Sequence, residues 1–375
     1  MKEIRDLTVK YHDRIVGYLA ETKDGRTAFQ YGKEWLVDGF SVNPLSLPLG
    51  EKVYLPKGYE FDGLFGVFSD SLPDGWGKLL VDRMLLSKGI SPQKVTPIQR
   101  LSIVGSTGMG ALEYEPDVFG FDEVERLDFD KIAQECEKIL REEESEDLDS
   151  LFRLGGSSGG ARPKALIRHE DSHWIVKFPS SYDRKTIGDE EYRYMKCAEM
   201  CGIRIPKVKL FSSEQCPGYF GAERFDRVNG TKVHVVTVSG LLETSHRVPN
   251  LDYNDLMKLT YLLTRDHSQM EEMYRRMCFN VFSHNRDDHS KNVSFYYEEI
   301  EGRWKLTPAY DLTYSNSIGG EHATCVNGNG KNPGIEDVVS VGKKAALSER
   351  KIRSVAEDIR ETVNEMLGDV FRSYG

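Results

Sequence analysis

The sequence predicts an α+β, two-lobed fold, with an extra β-rich subdomain at the N-terminus and an all-α C-terminal lobe. Three observations predict it. Apolar and polar residues alternate through about residues 1–60, the period-two pattern of strands. A glycine- and serine-rich stretch, Gly155 to Lys164, leads into two short strand patterns and a helix. From about residue 252 the apolar spacing becomes helical and brackets the polar run Asn285-Arg286-Asp287-Asp288-His289-Ser290-Lys291-Asn292. Sheet before helix is the order expected when a nucleotide sits between two lobes.

In the first segment, 1–120, Asp24-Gly25 and Asp38-Gly39 are turn signals. Leu72-Pro73-Asp74-Gly75-Trp76-Gly77 precedes a helix over Lys78–Ser87, with Leu79, Leu80, Met84 and Leu85 on one side. Val104 to Gly110 is glycine-rich and runs into Ala111-Leu112-Glu113-Tyr114. The second segment, 121–228, opens on an amphipathic helix over 129–141, with Ile132, Cys136, Ile139 and Leu140 on one face. The acidic run at 142–147 reads as a solvated linker. Strands follow near 164–169 and 173–178, joined by Glu170-Asp171-Ser172. A helix over 188–201 ends at Gly202, with Pro206 beyond, and more strand pattern covers 207–224. In the third segment, 229–375, Met270, Met273, Tyr274, Met277, Val281 and Phe282 form a core stripe. A last helix near 348–368 buries Ile352, Val355, Ile359, Val363 and Met366.

The chain has 375 residues, 39% hydrophobic and 29% charged, with net charge −10 and pI about 5.5. That balance argues against gripping nucleic acid over a wide surface unaided. No stretch approaches the roughly 18 apolar residues of a membrane span, and the N-terminus lacks an apolar signal core. The six scattered cysteines suit a reducing cytoplasm, and Cys197 and Cys201 read as packing residues.

Phosphoryl transfer needs a phosphate cradle, a cation on the phosphates, Mg²⁺ ligands and a base near the attacking hydroxyl. The cradle candidate is Gly155 to Lys164, whose glycines let backbone N–H groups approach anionic oxygens; a flexible linker is the alternative. No Walker A pattern is present. The cation candidate is Lys177, on a strand face opposite Val176 and Phe178, with a plain surface lysine as the alternative. Glu190 and Glu191 on the next helix could pair with it, Glu191 being favoured. Asp287 and Asn292 are spaced as a kinase base and its metal-binding amide, and Asp311 supplies a second carboxylate for Mg²⁺. His284 and His289 read as loop braces rather than zinc or phosphohistidine sites, and Asp288 reads as solvated. An ATP-binding pseudokinase and an aminoglycoside- or choline-type phosphotransferase share this constellation and remain open.

At these residues the chain resembles the HipA family of serine/threonine kinase toxins. Leu72 to Gly77 and Gly110-Ala111-Leu112 look like its N-terminal subdomain, and Ser157 to Lys164 like its phosphate loop. Glu223-Arg224-Phe225-Asp226-Arg227 resembles its hinge. Asp287 to Asn292 and Ala309-Tyr310-Asp311-Leu312 resemble its catalytic and metal motifs, and Asn327 to Pro333 a C-terminal signature. The resemblance implies a bilobal, protein-kinase-like fold that binds ATP and Mg²⁺. It implies nucleotide contacts from Ser157, Ser158, Gly159, Gly160, Ala161, Lys164, Lys177, Glu223, Phe225, His289 and Lys291, with Asp287 as base and Asn292 and Asp311 on metal. It also implies autophosphorylation at Ser157 or Ser158, a protein substrate such as an aminoacyl-tRNA synthetase, and a small DNA-binding, HipB-like antitoxin that makes most of the DNA contact.

Overall fold

A computed structural model describes residues 4–118, 128–143, 145 and 148–374. Positions 144, 146 and 147 of the acidic run, and the expected boundary near 120, lie outside the described residues. The chain divides into two compact units, Met1–Lys185 with Phe211–Ser245, and Thr186–Leu210 with His246–Gly375.

The first unit opens on an antiparallel sheet ordered Thr27–Tyr31, Arg14–Glu21, Asp6–Tyr11, Leu112–Glu115. Leu7, Val9 and Tyr11 are buried on one face, as the period-two pattern requires. Asp24-Gly25 forms a hairpin turn, with Gly25 at φ 83°. Asp38-Gly39 instead closes a one-turn helix, Trp35–Asp38. The strand pattern expected to residue 60 stops at Tyr31, because Pro44, Pro48 and Pro56 leave the segment 44–56 short of ladder donors. The unit's second sheet pairs Lys164–His169, Ser172–Lys177 and Tyr219–Glu223 in that order, all antiparallel. Helices Gly75–Ser87, Phe129–Leu140 and Leu148–Gly155 share a core with it, built on Trp76, Leu80, Cys136, Phe152, Val176 and Phe178.

The second unit rests on the helices Ile187–Met200, Tyr253–Thr264, His267–Phe282, Ile335–Lys344 and Glu349–Tyr374. Gly202 at φ 73° lets the Ile203 N–H reach back to the Ala198 carbonyl (3.0 Å), which closes the first of these. The last helix runs longer than expected, and its buried stripe is Ile352, Ala356, Ile359, Val363, Leu367 and Val370. Val355 and Met366 flank that stripe and are only partly buried. This portion of the chain is not all-α. A hairpin pairs Ser294–Glu298 with Arg303–Leu306, and Leu251–Asp252 runs parallel to Thr324–Cys325. Cross-strand partners Tyr297 and Trp304, with ring centroids 5.6 Å apart, favour the hairpin, and Gly302 at φ 62° makes its turn. Among the described residues no helix is long and apolar enough to cross a membrane.

Candidate active site

The glycine-rich loop after helix Leu148–Gly155 folds onto the Pro73 to Gly77 motif rather than hanging free as a linker. The Gly160 N–H donates to the Asp74 carboxylate, and the Trp76 N–H donates to the Gly160 carbonyl (2.9 Å). A Cβ at Gly75 would strike the Gly160 carbonyl, and one at Gly77 the Ser158 carbonyl. These two glycines therefore exist for close backbone approach. Ser157 is half-buried. Ser158 is buried, and its hydroxyl donates to the Gly155 carbonyl (2.6 Å), so it does not stand as a second accessible acceptor beside Ser157. Lys164 donates its ammonium to the Gly159 carbonyl. Its strand places it directly opposite Lys177. Two like charges across a ladder repel, and an anion between them would relieve that cost. Lys177 also lies over the Phe220 ring, 5.6 Å from its centroid.

At the end of the same sheet, the Glu223 carboxylate accepts the Ser172 hydroxyl, and Phe225 is partly buried. Asp226 is buried between Arg224 (2.8 Å) and Arg227 (3.0 Å) and accepts the Gly110 N–H (2.8 Å). Burial alone would raise its pKa, but the two guanidiniums hold it well below the carboxylate range. The hinge motif is thereby fastened to the Gly108–Gly110 turn, whose carbonyls accept from Arg224 and Arg227.

The second unit carries the other candidates. Helix His267–Phe282 ends in the polar loop, where the Asp287 side chain is 58% exposed. The Asn292 Nδ2 donates to the Asp287 carbonyl (2.7 Å), which fixes the amide's orientation and leaves Oδ1 as the atom presented to a cation. His289 accepts the Lys291 N–H through Nδ1 (3.2 Å), the bracing role expected of it. After the hairpin, the Tyr310 hydroxyl donates to the Lys291 carbonyl (2.7 Å), which ties the residue before Asp311 to the loop. Asp311 itself has φ 59°, an uncommon backbone state for a non-glycine residue that concentrates at functional positions. Oxygen donors from one amide and one carboxylate suit a hard cation such as Mg²⁺.

Helix Ile187–Met200 buries both Glu190 and Glu191, so neither is a solvated face residue. Glu190 accepts from the Thr186 (2.6 Å) and Tyr374 (2.6 Å) hydroxyls. Lys177 belongs to the first unit and Glu191 to the second. One expectation is reversed: Asp288 is not solvated but 3% exposed and held on several sides. Sequence reading also missed Asp74. Its flanking Gly75 and Gly77 were the available signal, since glycines so spaced mark close backbone contact.

The HipA N-terminal domain model matches residues 7–115 and the HipA-like C-terminal domain model matches 156–367. The chain belongs to the HipA family. A Haemophilus influenzae protein named "Putative kinase" is 26% identical over 181 residues, 42% of this chain and 52% of its own length. The chain thus spans about half the length of the curated relative it matches. Among solved structures, HipA from the Shewanella oneidensis MR-1 HipA, HipB and operator DNA complex superposes with a TM-score of 0.72 at 18% identity. That overlap covers 97% of this chain and 90% of the other, and gives the chain the mixed α/β fold of HipA. The Helicobacter pylori kinase CtkA overlaps only loosely, with a TM-score of 0.38 at 14% identity over 56% of this chain and 89% of its own.

Proposed function

We propose that this HipA-family chain is an ATP- and Mg²⁺-dependent serine/threonine-protein kinase with a bilobal, kinase-like architecture. The observation that carries the reading is the loop geometry of the second unit. Asp287 projects an exposed carboxylate while Asn292 commits its amide nitrogen to the Asp287 carbonyl, which keeps its amide oxygen for a cation. In this reading Asp287 accepts the proton of the substrate hydroxyl, and Asn292 and Asp311 hold Mg²⁺, which neutralises charge on the phosphates. The first unit supplies Ser157 to Lys164 and Lys177 as phosphate contacts, with Glu223 and Phe225 toward the base. Ser157, half-buried where Ser158 is buried, is the site of self-limiting autophosphorylation, since a dianion in the loop repels nucleotide phosphates. A HipB-like antitoxin supplies the DNA contact, in keeping with the net charge of −10.

Asp287→Gln tests the assignment with radiolabelled ATP and a lysate as phosphate acceptor. Transfer should fall by at least about 100-fold while ATP binding survives, because general-base loss costs roughly 10²–10⁴. Transfer at the parental rate sinks the proposal.

A further inference from the structure

Asp288 stands beside the exposed Asp287 and has the opposite environment. Its Oδ2 accepts the Tyr253 hydroxyl (2.9 Å) and bonds His322 Nδ1 (3.0 Å), and its Oδ1 accepts the Thr324 N–H (3.2 Å). The Thr324 hydroxyl donates to the Asp288 backbone carbonyl (2.6 Å). Behind Tyr253 the bonds continue through the core. Asn280 Nδ2 donates to the Tyr253 oxygen (2.9 Å), and Asn285 Nδ2 donates to Asn280 Oδ1 (2.9 Å). On the other side, the His322 N–H donates to the Gly330 carbonyl (2.7 Å). The Gly328 N–H donates to Asp252 (2.7 Å), the N-cap of helix Tyr253–Thr264.

We propose that Asp288, gripped by Tyr253, His322 and Thr324, is a positioning residue that aims the Asp287 carboxylate outward. The proposal rests on the reading of Asp287 as the catalytic base. A buried carboxylate persists only where hydrogen bonds replace its water, and here the start of helix Tyr253–Thr264 and the segment 322–324 provide them. Those bonds fix the Asp288 side chain and the peptide it shares with His289, while the peptide it shares with Asp287 is held from the Asp287 carbonyl by the Asn292 amide, so the backbone on both sides of Asp288 is set. The Asp287 side chain is exposed where that of Asp288 is buried, and the fixed backbone of its neighbour sets the point from which it projects. The glycine-rich turn Asn327 to Pro333 gains a role as well, because it anchors both His322 and the start of helix Tyr253–Thr264.

Asp288→Asn in the full chain is the test. The amide keeps the shape, but its nitrogen cannot accept the bonds that the carboxylate oxygen accepts. The kcat for phosphate transfer should fall roughly 10- to 100-fold while KM for ATP moves less than about twofold, the pattern of misplaced reacting groups. Amide hydrogen exchange over residues 286–292 should accelerate while helix Glu349–Tyr374 keeps its protection. A merely structural role would instead lower protection throughout and leave no kcat-specific loss. Tyr253→Phe removes one of the bonds and should give a smaller effect of the same sign; it decides the matter if Asp288→Asn fails to fold. A folded Asp288→Asn protein with parental kcat and parental loop exchange overturns the proposal. Absence of transfer in the parental protein would defeat the kinase reading instead. Loop exchange would then decide alone, acceleration upholding the positioning role and unchanged exchange overturning it.

Discussion

His234 is buried against Phe40, with ring centroids 5.5 Å apart, and its Nε2–H donates to the Val42 carbonyl (2.9 Å), since a carbonyl can only accept. Burial presses its pKa down from the ordinary 6.5 to about 4. Between those values the unfolded chain binds a proton that the folded chain refuses. Stability from this residue is therefore full above pH 6.5 and drains away as pH falls toward 4. The shift corresponds to about 3 kcal/mol. Urea midpoints measured from pH 7 down to pH 4.5 should drop accordingly, and His234→Leu should remove that part of the slope. Asp226 adds nothing in that window, because its loss begins only below the ordinary carboxyl value of 3.8. The same scale shows where sequence reading stopped. Asp287 and Asp288 are chemically identical neighbours, and what separates them is His322 and Thr324, 34 and 36 residues beyond Asp288. Spacing singles out the first as a candidate through its relation to Asn292, but nothing local announces that the second is interior.

Elements with a strong period were legible. The Met-aromatic stripe of helix His267–Phe282 and the strands around the Glu170 turn lie close to where periodicity puts them. The hairpin after Asn292 lies in a portion that the apolar spacing made all-α, since two short strands add little to the texture of a helical segment. The glycine-rich loop was less legible, because a Gly/Ser stretch has the same composition whether it is slack or clamped. Its clamp is the Asp74 to Gly77 motif, 86 positions earlier at the Asp74–Gly160 bond. Gly77→Ala should therefore cost about 1–3 kcal/mol through forced backbone displacement. It should also speed protease cleavage within residues 156–163. Equal cleavage rates and an unchanged urea midpoint would show that the loop is not held there.

At the scale of the whole molecule, both units are discontinuous, and the chain passes between them three times. Helix Ile187–Met200 belongs with the C-terminal helices: Arg193 pairs with Asp369 (2.6 Å), and the Tyr194 hydroxyl donates to the Ser283 carbonyl (2.8 Å). A fragment 229–375, the third segment expected from sequence texture, lacks that helix. It should fail to give a cooperative thermal transition, and a version that restores 186–210 through a linker should recover one. Texture changes along a chain record composition, whereas compact units are set by which faces bury each other, so the two partitions need not coincide.

That interleaving has a consequence for synthesis. The first unit cannot close until residue 245 has left the ribosome, and the second must wait for its last helix. Asp287 and Asn292 emerge earlier, before His322 and Thr324, which grip the neighbouring Asp288, have been made. Translation itself thus delays the assembly of the loop around Asp287 until residues 322–324 have been made.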